Sequence, residues 1–225
     1  MGSLEDVITP LRRETLQKGI YDQLCTLILQ GGLAPGQSIT VASIAKAFNV
    51  SPMPAREAIS RLMAAGALTV VSGRSIGVPK FDSDTFEDLR RVRVENEKIA
   101  VEWAAQNATP EFDRDLGAKL SLMLEAECAG ETKGFIQANY EFHFAIYRQA
   151  QSPILLEMIS NMWLRINPYF HVLHKYGHYR ISNEQHQDMF DALKSRDGAR
   201  AGAALERDID GAYRTITEAL KNSAG

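Results

Sequence analysis

Cysteine is scarce in this chain. There are two in 225 residues, Cys25 and Cys128, far apart and in no CxxC or zinc-ribbon spacing. That excludes a disulfide scaffold and a cysteine-built zinc knuckle, and it fits two reduced thiols in a cytoplasmic protein, expected as small buried hydrophobes. Long apolar runs are missing too: nothing approaches the ~18 residues of a membrane span. The opening MGSLEDVITP lacks a basic and an apolar stretch, so it is not expected to be a signal peptide, and Asp6 stands where a myristoylation motif needs Ser or Thr. Internal repeats and low-complexity tracts are also lacking. What remains is 45% hydrophobic and 24% charged, enough apolar material for one large domain or two modest ones. The net charge of −3 is unevenly divided. Residues 1–80 hold eight Lys/Arg against five Asp/Glu, a balance of +3, which leaves −6 on the remainder. A basic head on an acidic body fits phosphate contact by the head alone.

The most informative stretch runs from Ile39 to Arg74. Val41, Ile44, Ala45 and Phe48 fall on one helical face, Asn49-Val50 breaks the pattern, and Ser51 stands where an N-cap belongs. Pro52 and Pro54 suit the first turn of the second helix, where backbone N–H groups lack intrahelical partners. Ala55, Ile59, Leu62 and Met63 form its inner face. Gly66 ends it, and Leu68–Val71 reads as a strand turning at Ser72-Gly73, with Gly77–Phe81 completing a two-stranded ribbon. Helix, turn, helix and ribbon make a winged helix-turn-helix, whose second helix can enter the major groove of DNA.

The rest is predicted to be mainly α. An amphipathic helix over Leu11–Gln30, carrying Leu16, Ile20, Leu24, Leu27 and Ile28, precedes the motif, and residues 1–10 are expected to be loose. Thr40 is set to cap the first helix of the motif. A domain boundary is expected near 80–84, giving residues 1–81 as the DNA-binding domain and 82–225 as an all-helical antiparallel bundle. Helices are predicted at 85–107, at 110–129 with Leu116, Leu120, Met123 and Leu124 inward, and at 132–149. A further helix runs from Ser152-Pro153 to about Tyr176, kinked at Pro168, followed by helices at 182–195 and 197–221.

The head motif, GQSIT-VASIAKAFNVSPMPAREAISRLMAAGAL, followed by a wing and helices containing ENEKIAVEWAA, NYEFHFAIYR and NEQHQDMFDALKSRD, resembles the GntR family of bacterial transcription factors, FadR type, with an FCD effector domain. The likeness covers about residues 15–220. It implies a ligand-responsive regulator: a homodimer binding a short inverted-repeat operator on double-stranded DNA, most simply as a repressor of a catabolic operon, released by a small carboxylic acid. It implies DNA contacts from Arg56, from Ser51 as a phosphate-facing cap, from Met53 in the groove-facing turn and from the wing arginine Arg74. The family pattern S-R-T-P-V-R-E-A-L becomes Ser51-Pro-Met-Pro-Ala-Arg56-Glu-Ala-Ile59, so Pro52 removes one customary arginine and operator preference should differ.

For the helical domain the resemblance implies a divalent metal site. Its positions fall on Asn139, His143, His186 and Asp208, with Asn in place of the usual Asp and Asp in place of the last His. Asn139 and His143, four apart, share a helix face. Two imidazoles, a carboxylate and an amide oxygen suit Zn, Ni or Mn; the alternative is two histidines satisfied in a metal-free pocket. Arg93 matches a ligand-carboxylate arginine, against the plain option of a surface pair with Glu97. Arg165, beside Trp163, is a second ligand candidate. A metal-dependent enzyme using the same site is the competing function. It leaves the head unexplained, and the chain shows no separate nucleophile or acid–base pair in a persuasive context.

Overall fold

The structure, a computed structural model, describes residues 13–80, 82–175 and 179–222. The expectation for residues 1–10 lies outside them. Helix α1 (Arg13–Leu29) buries Ile20, Leu24 and Ile28 one turn apart, whereas Leu16 and Leu27, expected inward, are exposed at 50% and 43%. After it come β1 (Ser38–Ile39), α2 (Val41–Ala47), α3 (Pro52–Ala64), β2 (Thr69–Ser72) and β3 (Ser75–Gly77). Thr40 does cap α2, and reciprocally: its Oγ1 accepts from Ser43 N at 3.0 Å while its own N–H donates to Ser43 Oγ at 2.9 Å.

Ser51 occupies the N-cap of α3 but its side chain makes no capping bond, contrary to expectation. The reason lies in the sequence. Its natural donor would be the N–H of the third helical residue, which is Pro54 and has none. Ala55, Ala58, Ile59 and Leu62 form the buried face of α3, with Met63 half-buried. The wing gains a third strand. The sheet order is β1-β3-β2, all antiparallel, with Ile39 opposite Ile76 and Val70 also opposite Ile76. A two-residue strand carries no alternation to read, so only its extended character was legible. Gly77 is required where β1 crosses β3, because a Cβ there would lie 2.6 Å from the Gln37 carbonyl oxygen.

The body is all helical: α4 (Ser83–Asn107), α5 (Pro110–Ala129), α6 (Thr132–Gln149), α7 (Pro153–Ile166), a 3₁₀ turn (Asn167–Tyr169), α8 (Phe170–Lys175), α9 (Tyr179–Lys194) and α10 (Gly198–Asn222). Side chains supply three of the starts: Asp82 accepts from Thr85 N, Thr109 from Phe112 N and Ser152 from Leu155 N. Pro168 does more than kink its helix. It replaces a turn of α-helix by 3₁₀ and divides the segment into α7 and α8. Helices α4 and α9 pack on α10, and α5 packs on α6. Phe142, Tyr147 and Trp163 are fully buried at the centre, alongside Leu116, Met123 and Ile136. Each such side chain contributes roughly 1.5–3 kcal/mol of transfer free energy. Leu124, expected inward, is exposed at 39%, Cys25 is half-buried, and Cys128 is exposed rather than buried.

Candidate metal centre and DNA-facing surface

Helix α6 carries Asn139, His143 and Tyr147 at i, i+4 and i+8, one buried face pointing into the bundle. Opposite it α9 brings Ser182, Asn183 and His186, α10 brings Asp208, and α4 brings Arg93 and Glu97; all six of these are buried too. The two histidines and Asp208 converge, with ligand-capable atoms all within 4.8 Å of one another. His143 Nε2 lies 3.0 Å from His186 Nε2 and 3.5 Å from Asp208 Oδ2, and His186 Nε2 lies 3.6 Å from Asp208 Oδ1. Asn139 lines the same cavity, as do Arg93 and Ser182. Thus three residues of the implied metal set, Asn139, His143 and Asp208, border one cavity, and His186 joins them through its approach to His143 and Asp208.

The groups around the cluster fix its protons. The Tyr147 hydroxyl donates to Glu97 Oε2 at 2.5 Å, so it can only accept from His143 Nδ1, 3.1 Å away. On the other side Asn183 gives its amide N–H to Glu127 and turns its oxygen toward His186 Nδ1 at 3.4 Å. This network assigns the proton of each ring to Nδ1 and leaves both Nε2 lone pairs facing Asp208. Burial holds the His143 imidazole below its ordinary range, favouring the neutral ring. Burial and the adjacent Glu97 push the Tyr147 hydroxyl well above its own, so it stays a donor. Burial alone would raise the Asp208 carboxyl, but the charge that His186 and His143 carry when protonated outweighs it and holds the carboxyl well below the usual range. Ser182 Oγ donates to Asp208 Oδ1 at 2.6 Å.

Two lone pairs 3.0 Å apart beside a carboxylate repel unless a cation lies among them. A divalent ion fits that donor set: ligands at about 2.0–2.2 Å from a shared centre stand about 3.0–3.5 Å from one another, close to the observed edges. The cavity itself measures about 20 Å³, room for an ion or a water but not for an organic acid.

Arg93 is internal rather than a surface partner of Glu97. Its Nε and Nη2 bond Glu97 at 2.7 and 3.3 Å, and its guanidinium lies 5.4 Å from the Trp163 ring. Burial alone would lower its pKa, but Glu97 more than compensates and the group is held charged. Glu97 is the hub that sequence reasoning missed: fully buried, it also accepts from Trp163 Nε1 at 3.2 Å. Its spacing from Arg93 was visible, its burial was not. Arg165 must be corrected. It does not line the cavity; its Nε donates to the Ala65 carbonyl oxygen, 2.8 Å away in the head, because its helix face points to α3 rather than inward.

On the head, Ser51, Met53, Arg56 and Arg74 are all exposed, the first three on the opening turns of α3 and the last at the tip of the wing. Neither Arg56 nor Arg74 forms an ion pair among the described residues. Arg61 differs, lying 3.9 Å over the Tyr21 ring.

Comparison with known proteins agrees with this architecture. Residues 16–78 match the family model "Bacterial regulatory proteins, gntR family" and residues 88–211 match the FCD domain. The chain is 32% identical over 170 residues to the HTH-type transcriptional regulator McbR of Escherichia coli, covering 74% of this chain and 77% of McbR. It is 27% identical over 191 residues to the Nta operon transcriptional regulator of Aminobacter aminovorans, covering 84% and 89% of the two chains. The HTH-type transcriptional repressor GlaR of Escherichia coli is 24% identical over 203 residues, 84% of this chain and 90% of GlaR. The solved structure of Escherichia coli McbR/YncC superposes with a TM-score of 0.79 at 27% identity, over 93% of this chain and 99% of that one. The chain therefore belongs to the GntR family of bacterial transcriptional regulators, in the FadR-type group whose effector domain is FCD. Its relatives are regulators of transcription, not enzymes.

Proposed function

We propose that the protein is a cytoplasmic, homodimeric repressor of a catabolic operon, released from an inverted-repeat operator by a small carboxylic acid. Residues 1–81 act as the DNA-reading head and residues 82–225 as the effector-binding and dimerising domain. Arg56 reads a base edge from the start of α3, Arg74 reaches the duplex from the wing, and Ser51 turns its uncommitted hydroxyl to a phosphate. Two-fold symmetry of the dimer matches that of the operator. Met53 adds an apolar contact in the groove.

In the body His143, His186 and Asp208 hold Zn, Ni or Mn, with Asn139 as a weaker fourth ligand. The observation that carries this is the pair of Nε2 atoms 3.0 Å apart beside one carboxylate. The ion offers a Lewis-acidic anchor for a ligand carboxylate, and Arg93 stands at the same cavity as a second one. An organic acid needs more room than the cavity has, so its entry must displace lining side chains. That displacement is what changes DNA affinity, by a coupling of typically ~1–3 kcal/mol. Sugar acids, hydroxy acids, dicarboxylates and aromatic acids are the classes to screen.

The test begins with metal analysis of untagged protein beside His143→Ala. About one ion per chain, lost in the variant, is expected. Duplexes enriched from a random pool by the wild type are then challenged with the four acid classes. Release by one class in the wild type, and not in His143→Ala, supports the reading. A metal-free wild type after dialysis against all three ions removes the metal, and failure to enrich any duplex removes the regulator.

A further inference from the structure

The segment around Pro168 faces two ways. Four of its side chains, on alternate residues, donate hydrogen bonds to main-chain carbonyls of the head. Arg165 Nε reaches Ala65 O at 2.8 Å, and Asn167 Nδ2 reaches both Ile28 O and Leu29 O at 2.9 Å. Tyr169 Oη reaches Pro79 O at 2.6 Å, and His171 Nε2 reaches Gly31 O at 2.7 Å. The acceptors lie at the end of α1, just past the end of α3, and just past the wing. The helix ends among them are places where carbonyls run short of intrahelical partners. Asn167 is fully buried, so its bonds are shielded from water, and its Oδ1 has no partner among the described residues.

The same segment builds a wall of the cavity. Trp163, Phe170 and Leu173 line it, and Trp163 is tied to Glu97. Two glycines make the close approach possible. Gly31 ends α1 at φ +71°, and a Cβ there would stand 2.9 Å from Cγ2 of Ile136, another cavity-lining side chain. Gly66 ends α3 at φ +72° with the Arg165 guanidinium 3.0 Å from where its Cβ would be. Helices α1 and α3 therefore both terminate in a left-handed glycine against a body side chain.

We infer that residues 165–171 are the coupling element of this protein: a clasp that holds the head by its main chain and moves when side chains lining the cavity are displaced. The acceptors are all backbone, so the head is gripped by position and not by the identity of its side chains. The 3₁₀ turn at Asn167–Tyr169 is the joint, since Pro168 removes the α-helical bond that would stiffen α7 and α8 into one rod. The inference rests on the regulator reading for its consequence, but the mechanical link can be measured without DNA.

Hydrogen–deuterium exchange on the full chain provides the test, with the cavity disturbed from the far wall by Ala212→Leu, or by Ala212→Val should the larger residue prevent folding. Arg165→Ala/His171→Ala opens the clasp by removing two donors that are not fully buried. Opening alone is expected to speed exchange of peptides 28–33 and 65–68 by about tenfold. The disturbance at Ala212 should alter those head peptides when the clasp is intact and be confined to body peptides when it is open. An equal head response in both backgrounds, or a response at 135–143 with none in the head, overturns the inference. A second readout separates coupling from stability. Duplexes enriched by the wild type should share one half-site spacing, and those enriched by the open-clasp variant should show several. One unchanged spacing in both also overturns it. If the wild type enriches no duplex, the regulator reading fails instead, and the exchange result still decides the clasp.

Discussion

Tyr147 is the residue on which the metal reading can be tested most sharply, because it would act on a metal only through His143. Its hydroxyl accepts a hydrogen bond from His143 Nδ1–H and donates one to Glu97, which aims the Nε2 lone pair. Tyr147→Phe keeps the buried ring and removes this orientation. Metal affinity, measured by competition with a chelator, is expected to fall by about 10–100-fold, the usual effect of losing a partner behind a metal-bound histidine. An affinity within error of the wild type would mean the ring needs no such support. Protons give a second test. Burial depresses the His143 pKa in the folded state, so the unfolded chain takes up a proton first as pH falls. The metal-free protein should then lose stability as pH drops below about 6.5, the unfolded histidine value. Asp208, also depressed, adds a loss of the same sign below the ordinary carboxylate range. Thermal melts across pH 5.5–7.5 check the first step: the slope should shrink in His143→Gln. Much of this site was legible. Asn139, His143 and Tyr147 share a face by spacing alone, and His186 and Asp208 came from the family pattern. Glu97 and Asn183 did not, because burial and the tautomer of a distant ring are properties of packing across helices.

At the scale of elements, the joints between helices carry the specificity of the fold. Gly31 and Gly36 both adopt positive φ, at +71° and +86°, but only Gly31 is crowded. Gly36→Ala should lose about 1–2 kcal/mol from the left-handed conformation. Gly31→Ala should lose about 1–3 kcal/mol beyond that, because its Cβ also meets Ile136. Denaturant unfolding of the two variants measures the difference; equal losses would show that α1 and α6 can separate without penalty. Helix starts in this chain were readable because Thr40, Asp82, Thr109 and Ser152 all cap as their types predict. Ser51 did not, since a proline three residues on had removed its donor. Strand β1 and the division of α7 from α8 were beyond reach, one for lack of length and the other because a proline signals a break without saying which geometry replaces the lost turn. The inward positions misjudged in the sequence, Leu16, Leu27 and Leu124, lie at the edges of their helical faces, where a neighbouring helix decides exposure.

For the whole molecule, the uneven charge of head and body bears on how many heads engage DNA at once. A head of +3 on a body of −6 binds a polyanion through few contacts, so each phosphate contact should register in the salt dependence. Arg74 is exposed at the wing tip and free of ion pairs among the described residues, which makes it the contact best suited to counting. Each phosphate contact contributes about −0.9 to the slope of log Kobs against log salt. If two heads bind one operator, Arg74→Ala removes two contacts and should flatten the slope by about 1.8; a single engaged head gives about 0.9. Fluorescence anisotropy on an enriched duplex over a range of salt supplies the number. A flattening near the larger value supports a dimer reading both half-sites. The smaller value would mean that one head reads alone, and no flattening would place the wing away from the backbone altogether.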